Sequence, residues 1–280
     1  MPRCPKTDTG RTAGVATTAG TAAFTLVELM VACAILSVFM LVMMGIAGQG
    51  SKLWALTESQ NQHRQRARAM LDFMASEMRQ TVYPADSVRP GLQFVINPTS
   101  LSSGAHFNRD AVFWQAPIAT DTTHGDLAEV GYFVRWSGTQ ASLCRYFVNP
   151  GDANYLIYNN PEAWITDTLL AEVTPADKAS RYRGLFLENV VGLWVDARTS
   201  SGAAYAGNSR TALRLPAYAE VSLVLIDSST ARRLTAADVA TIRTLNSTAT
   251  TPAQFIQQLP AGLRSGCSYV STVVNFSNYR

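Results

Sequence analysis

The apolar positions fall into three regimes along the chain. From Phe24 the sequence is apolar nearly all round: no side chain from Leu29 to Gln49 is charged, and the next charge after Glu28 is Lys52. About 20 such residues make a helix of ~30 Å, the thickness of a bilayer's hydrocarbon core. From Leu53 onward the pattern is stepped. Leu53, Leu56, Gln60, His63, Ala67, Met70 or Leu71, Met74 and Met78 recur at three- and four-residue intervals, the period of an amphipathic helix. No turn signal separates the two stretches, and Pro84 disfavours helix at the residue before it. One helix is therefore predicted over about 24–81, roughly 85–90 Å long.

Beyond Pro84 short β-rich runs replace the helical step, at 91–96, 111–115, 129–136, 142–148, 185–196 and 219–227. Turn residues such as Asn97-Pro98, Ser103-Gly104 and Ser137-Gly138 separate them. The 129–136 and 142–148 runs, joined by SGTQA, predict an antiparallel hairpin. Residues 198–210 are a Ser/Gly/Ala-rich loop. Near the C-terminus a helix is predicted over 235–245, with Thr235 as N-cap and Asp238 three residues on. A second helix over 252–259 and a final strand over 266–276 follow. The fold class is α+β: a long N-terminal helix packed on an antiparallel β-sheet domain.

Four segments result: a leader over 1–23, a transmembrane helix over 24–48, its amphipathic continuation over 49–82 and a β-rich domain over 83–280. The leader is polar, of low complexity, and carries Arg3, Lys6 and Arg11 against Asp8. This positive bias keeps it cytoplasmic and sends the C-terminal domain across the membrane. The apolar run is too long for the core of a secretory signal peptide.

Glu28 is the anomaly in this picture. An ionised carboxylate in hydrocarbon costs several kcal/mol, so it is expected to have a partner and a function.

The remaining chemistry is sparse. A net charge of +3 over 280 residues gives no nucleic-acid footprint. Arg64, Arg66 and Arg68, flanked by Glu58, Asp72 and Glu77, read as a solvated helix face. Of the four cysteines, Cys4 and Cys33 belong to the N-terminal segments. Cys144 and Cys267 are a candidate disulfide pair, and no CxxC or CxxH spacing supports a zinc site. His63 reads as a surface or interface residue; His106 and His124 stand in polar loops without ligand-spaced partners. The tract from Asp121 to Asp126 has oxygen ligands but not EF-hand spacing, and an ordinary loop is the simpler reading. With no GxSxG, P-loop or GxGxxG motif, neither an enzyme nor a bound cofactor or metal is expected.

Phe24-Thr25-Leu26-Val27-Glu28 resembles the start of a mature type IV pilin-like protein. The resemblance implies cleavage by prepilin peptidase between Ala23 and Phe24, and methylation of the new N-terminus. It also implies that Glu28 meets the N-terminal amine of a neighbouring subunit during filament assembly. Ala23 departs from the glycine typical of that position.

A second resemblance spans the domain. The strand with Gly131-Tyr132, the strand with Leu143-x-Arg145, and Leu215-Pro216 before the 219–227 strand are similar to the J-type minor pseudopilins of type II secretion. So is the helix segment RARAMLDFMASEMRQ. The family implies a single-pass protein of the bacterial inner membrane, its domain in the periplasm, that joins a pseudopilus or type IV pilus-like filament, at the tip as an initiator. Its partners would be prepilin peptidase, other pilin or pseudopilin subunits, the inner-membrane assembly platform and the lipid bilayer, with no nucleic acid. The stretch 228–280 departs from the family pattern, and no role is assigned to it. The alternative expectation is a membrane-anchored binding module that recognises a secreted substrate, a surface or DNA.

Overall fold

The computed structural model of the chain describes residues 25–82, 93–101, 110–156, 164–173, 184–212 and 214–277. The chain divides into two units, Met1–Leu56 and Thr57–Arg280. Helix α1, Leu26–Arg79, is a single helix of 54 residues, close to the predicted 24–81. After it Thr81 turns back: its amide and its hydroxyl both donate to the Met78 carbonyl, at 3.1 and 2.6 Å.

In the second unit, five strands form an antiparallel sheet in sequence order: β1 (Phe94–Ile96), β2 (Val112–Ala116), β3 (Ala128–Ser137), β4 (Gln140–Val148) and β5 (Gly184–Glu188). Strands β6 (Val190–Arg198), β7 (Tyr218–Ile226) and β8 (Cys267–Asn275) form a second antiparallel sheet. The predicted hairpin is β3–β4, tighter than the sequence implies. Ser137 pairs with Gln140, and Gly138 takes the left-handed conformation (φ 61°) that a two-residue hairpin turn demands.

The buried side of α1 follows the stepped pattern. Ala67, Leu71, Met74, Ala75 and Met78 join one core with Trp114, Tyr132, Val134, Leu193, Val221 and Leu223, drawn from both sheets. Leu71 is the core residue and Met70 is only partly buried. A second core on the opposite face of the first sheet gathers Val95, Phe113, Phe133, Tyr146, Trp164 and Leu170. Burial on both faces explains why β2 and β3 read as near-continuous apolar runs instead of alternating. It also fixes Gly131, where a Cβ would come within 2.1 Å of the Phe113 ring.

The run over 185–196 is not one strand, which corrects the sequence expectation. It breaks at Asn189, whose φ of 60° ends β5 and starts β6 in the other sheet. Its backbone joins the two sheets, the N–H donating to Ala141 O of β4 and the C=O accepting from Ile226 N of β7, both at 2.9 Å.

Among the described residues the further helices are short: α2 (Asp167–Glu172), α3 (Ser209–Ala212), α4 (Ser228–Ala231), α5 (Ala236–Thr248), α6 (Pro252–Gln258) and α7 (Ala261–Arg264). Helix α5 begins at the expected capping box between Thr235 and Asp238. Its Asn246 donates to the Val191 carbonyl at 3.0 Å, and Phe255 of α6 packs on Trp194 of β6 at 5.3 Å, so α5 and α6 close over the second sheet.

Candidate assembly segment

In the first unit, Leu26–Gly48 is the one stretch of helix, among the described residues, long and apolar enough to cross a membrane. None of it is buried: Leu26 is 75 %, Leu41 71 % and Met44 72 % exposed. A helix apolar on every side with nothing covering it needs an apolar surrounding, lipid or other helices. Its one hydroxyl, Ser37, is satisfied internally by donating to the Cys33 carbonyl at 2.7 Å.

Glu28 is in the first turn of this helix. Its amide donates to Thr25 Oγ1 at 3.3 Å, and the Leu29 amide donates to the Thr25 carbonyl at 3.2 Å. Thr25 thus caps the helix, with Glu28 three positions inside it, where a negative charge is favoured by the helix dipole. Sequence reasoning passed over Thr25, although Thr25-x-x-Glu28 is the sequence signature of a capping box. No cation accompanies the Glu28 carboxylate among the described residues. Ala23 and Phe24, the expected cleavage-site pair, and the expected leader over 1–23 lie outside the described residues.

In the second unit the helix is locked to the first sheet by a buried polar cluster that also escaped the sequence reading. Tyr132 and Arg145 are directly opposite one another on β3 and β4 and converge on Glu77 of α1. The Tyr132 hydroxyl donates to Glu77 Oε2, Arg145 Nη2 donates to Oε1, and Arg145 Nε donates to Oε2 at 3.2 Å. The guanidinium also lies 4.2 Å from the centre of the Phe147 ring and 5.7 Å from that of Phe73. Burial, and then the neighbouring Glu77 carboxylate, push the Tyr132 hydroxyl well above its ordinary pKa. Glu77 is 5 % exposed, so its assignment to a solvated helix face is corrected. These contacts give the Gly131-Tyr132 and Leu143-x-Arg145 motifs one physical role, since both supply partners to the same helical carboxylate.

The other sequence candidates remain apart. Cys144 in β4 and Cys267 at the start of β8 are free thiols on different sheets. Burial pushes each thiol up to about 12, with Asp227 adding to the effect at Cys267. His63 is half-buried, its Nε2 3.1 Å from the Glu188 carbonyl. Asp121 spends its carboxylate on its own turn, accepting from the Thr123 hydroxyl and amide at 2.6 and 3.0 Å, and these bonds hold its pKa below the ordinary value. Among the described residues no group of three or more His, Cys, Asp or Glu is arranged to hold a metal. His106 lies outside them.

No curated protein and no solved structure matches the chain. Residues 19–44 match the family model of the prokaryotic N-terminal methylation motif. The segment that contains the Ala23–Phe24 bond, the Thr25 cap and Glu28 thus carries the methylation motif of type IV pilin-like proteins.

Proposed function

We propose that this chain is a minor pilin-like subunit of the pseudopilin type, a structural protein and not an enzyme. Prepilin peptidase cuts it between Ala23 and Phe24 and the new amine is methylated. The apolar half of α1 holds it in the bacterial inner membrane with the sheet domain on the periplasmic side. The assembly platform then draws it into a filament of a type II secretion pseudopilus or type IV pilus-like kind, where it helps to initiate the tip.

One observation carries this reading: a carboxylate, Glu28, stands at the start of an uncovered apolar helix that bears the methylation motif. Cleavage would create a positive amine on Phe24, four residues away. On a single helix both charges would remain in an apolar surrounding. Between neighbouring helices, the amine of one subunit and the carboxylate of the next neutralise each other and set the axial register. The buried Glu77–Arg145 pair supports the J-type assignment, because the residues shared with that family are those that bind helix to sheet.

Intact mass and N-terminal sequencing of the protein from its native membrane test the reading. The expected product begins at Phe24 and carries one methyl group on its amine. A chain that still begins at Met1 would leave an ordinary signal anchor.

A further inference from the structure

On the face of the second sheet that carries Trp194 and helix α6 there is a cavity of about 490 Å³. Most of the polar groups that line it are satisfied within the chain. Asp110 accepts from Asn97 Nδ2 and from the Val195 amide, both at 2.8 Å. Asp196 pairs with Arg198, accepting from its Nε and Nη2 at 2.8 Å each. The Thr250 hydroxyl donates to Gln254 Oε1 at 2.8 Å, and Thr251 Oγ1 accepts from the Gln254 amide at 3.2 Å.

Ser222 and Glu220 are left over. They are two positions apart on β7 and so share one face, with Trp194 and Asp196 directly across from them on β6. Ser222 is 4 % exposed, yet among the described residues its hydroxyl has no hydrogen-bond partner, whereas buried polar groups are normally paired. Glu220 is exposed and has neither a hydrogen bond nor an ion pair among the described residues. It stands opposite Asp196, and like charges directly opposite one another destabilise a sheet. With Asp110, three carboxylates against one guanidinium give the cavity a formal charge of −2. Trp194, Pro252 and Tyr269 supply apolar wall.

We propose that this cavity takes a basic side chain of a partner polypeptide, with its cation held by Glu220 and the Ser222 hydroxyl. The charge selects a cation: an anion would be repelled by Glu220, and Arg198 is already spent on Asp196. A hydroxyl accepts as well as donates, so Ser222 Oγ takes one of the cation's N–H groups. The walls select a side chain over a free small cation, because the long stem of a lysine or arginine covers apolar surface while its head reaches polar groups. The site lies within the sheet domain, so the proposal goes beyond the filament reading and stands without it.

The full chain in detergent, with its tryptophan indole nitrogens isotopically labelled, provides the test by NMR; loss of a signal in Trp194→Phe identifies that of Trp194. The probes are blocked tripeptides with a central lysine or arginine between two alanines. At least one should shift the Trp194 signal saturably and leave the other tryptophan signals in place. Glu220→Gln should weaken that binding about tenfold, the scale of one lost hydrogen bond to a charged group. Ser222→Ala should weaken it by a smaller factor. Glu188→Gln, which removes an exposed acid of the first sheet, should leave it unchanged. Because Glu220→Gln relieves a like-charge pair, its thermal midpoint should be no lower than that of the unaltered chain, which separates a binding acid from a structural one. No saturable shift with either peptide, an equal shift from the peptide whose lysine is acetylated, or binding untouched by Glu220→Gln would overturn the proposal. Binding of 1,4-diaminobutane as tight as that of the peptides would overturn the polypeptide partner and assign the cavity to a free small cation.

Discussion

Glu77 shows how far single residues can be read from a sequence. Among Arg64, Arg66 and Arg68 on an amphipathic helix it looks like one more surface acid. Its partners Tyr132 and Arg145 are 55 and 68 positions away in the chain, and no local pattern announces them. Thr25 was legible, since its cap depends only on residues three positions apart. The buried pair yields a stability prediction. Glu77→Gln keeps the volume of the side chain but removes the carboxylate charge that pairs with the Arg145 guanidinium, itself 6 % exposed. Breaking a buried pair from one side costs about 3–5 kcal/mol. Denaturant unfolding should show that loss as a lower midpoint with an unchanged slope. A cost below about 1 kcal/mol, the range of exposed pairs, would mean that solvent reaches the guanidinium.

At the scale of elements, the parts that follow local rules were legible. Helix α1 was found from its three- and four-residue steps, the β3–β4 hairpin from its turn, and α5 from the Thr235–Asp238 capping box. What failed was the division of the strand run over 185–196. Apart from the exposed Glu188 and the half-buried Asn189 its residues from Leu185 to Val195 are apolar or glycine, and one polar pair makes no change of period that would mark the break. Only the backbone at Asn189 marks it, and asparagine is among the few non-glycine residues that enter left-handed space readily. Asn189→Val is expected to destabilise the domain by about 1–3 kcal/mol, the cost of holding a strained backbone conformation, with Asn189→Gly much milder. Thermal unfolding of the two variants measures the difference. Equal effects would mean that the site depends on the Asn189 side chain, which donates to Ser228 at 3.4 Å, and not on its backbone.

For the whole molecule, the sequence and the structure agree on an α+β chain in which a long helix with an apolar first half leads into an antiparallel β domain. The domain is held to the second half of that helix by a shared core and by the Glu77 cluster. A helix end with a cap, a carboxylate and no apolar cover is a part designed for a neighbour, and the methylation motif indicates which kind. Filament incorporation of Glu28→Ala, measured beside the unaltered chain in the same cells, isolates the role of the Glu28 carboxylate in assembly. The variant is expected to be cut before Phe24 and to reside in the membrane, but to be lost from the filament fraction. A processed Glu28→Ala chain that enters filaments as well as the unaltered one would contradict that role.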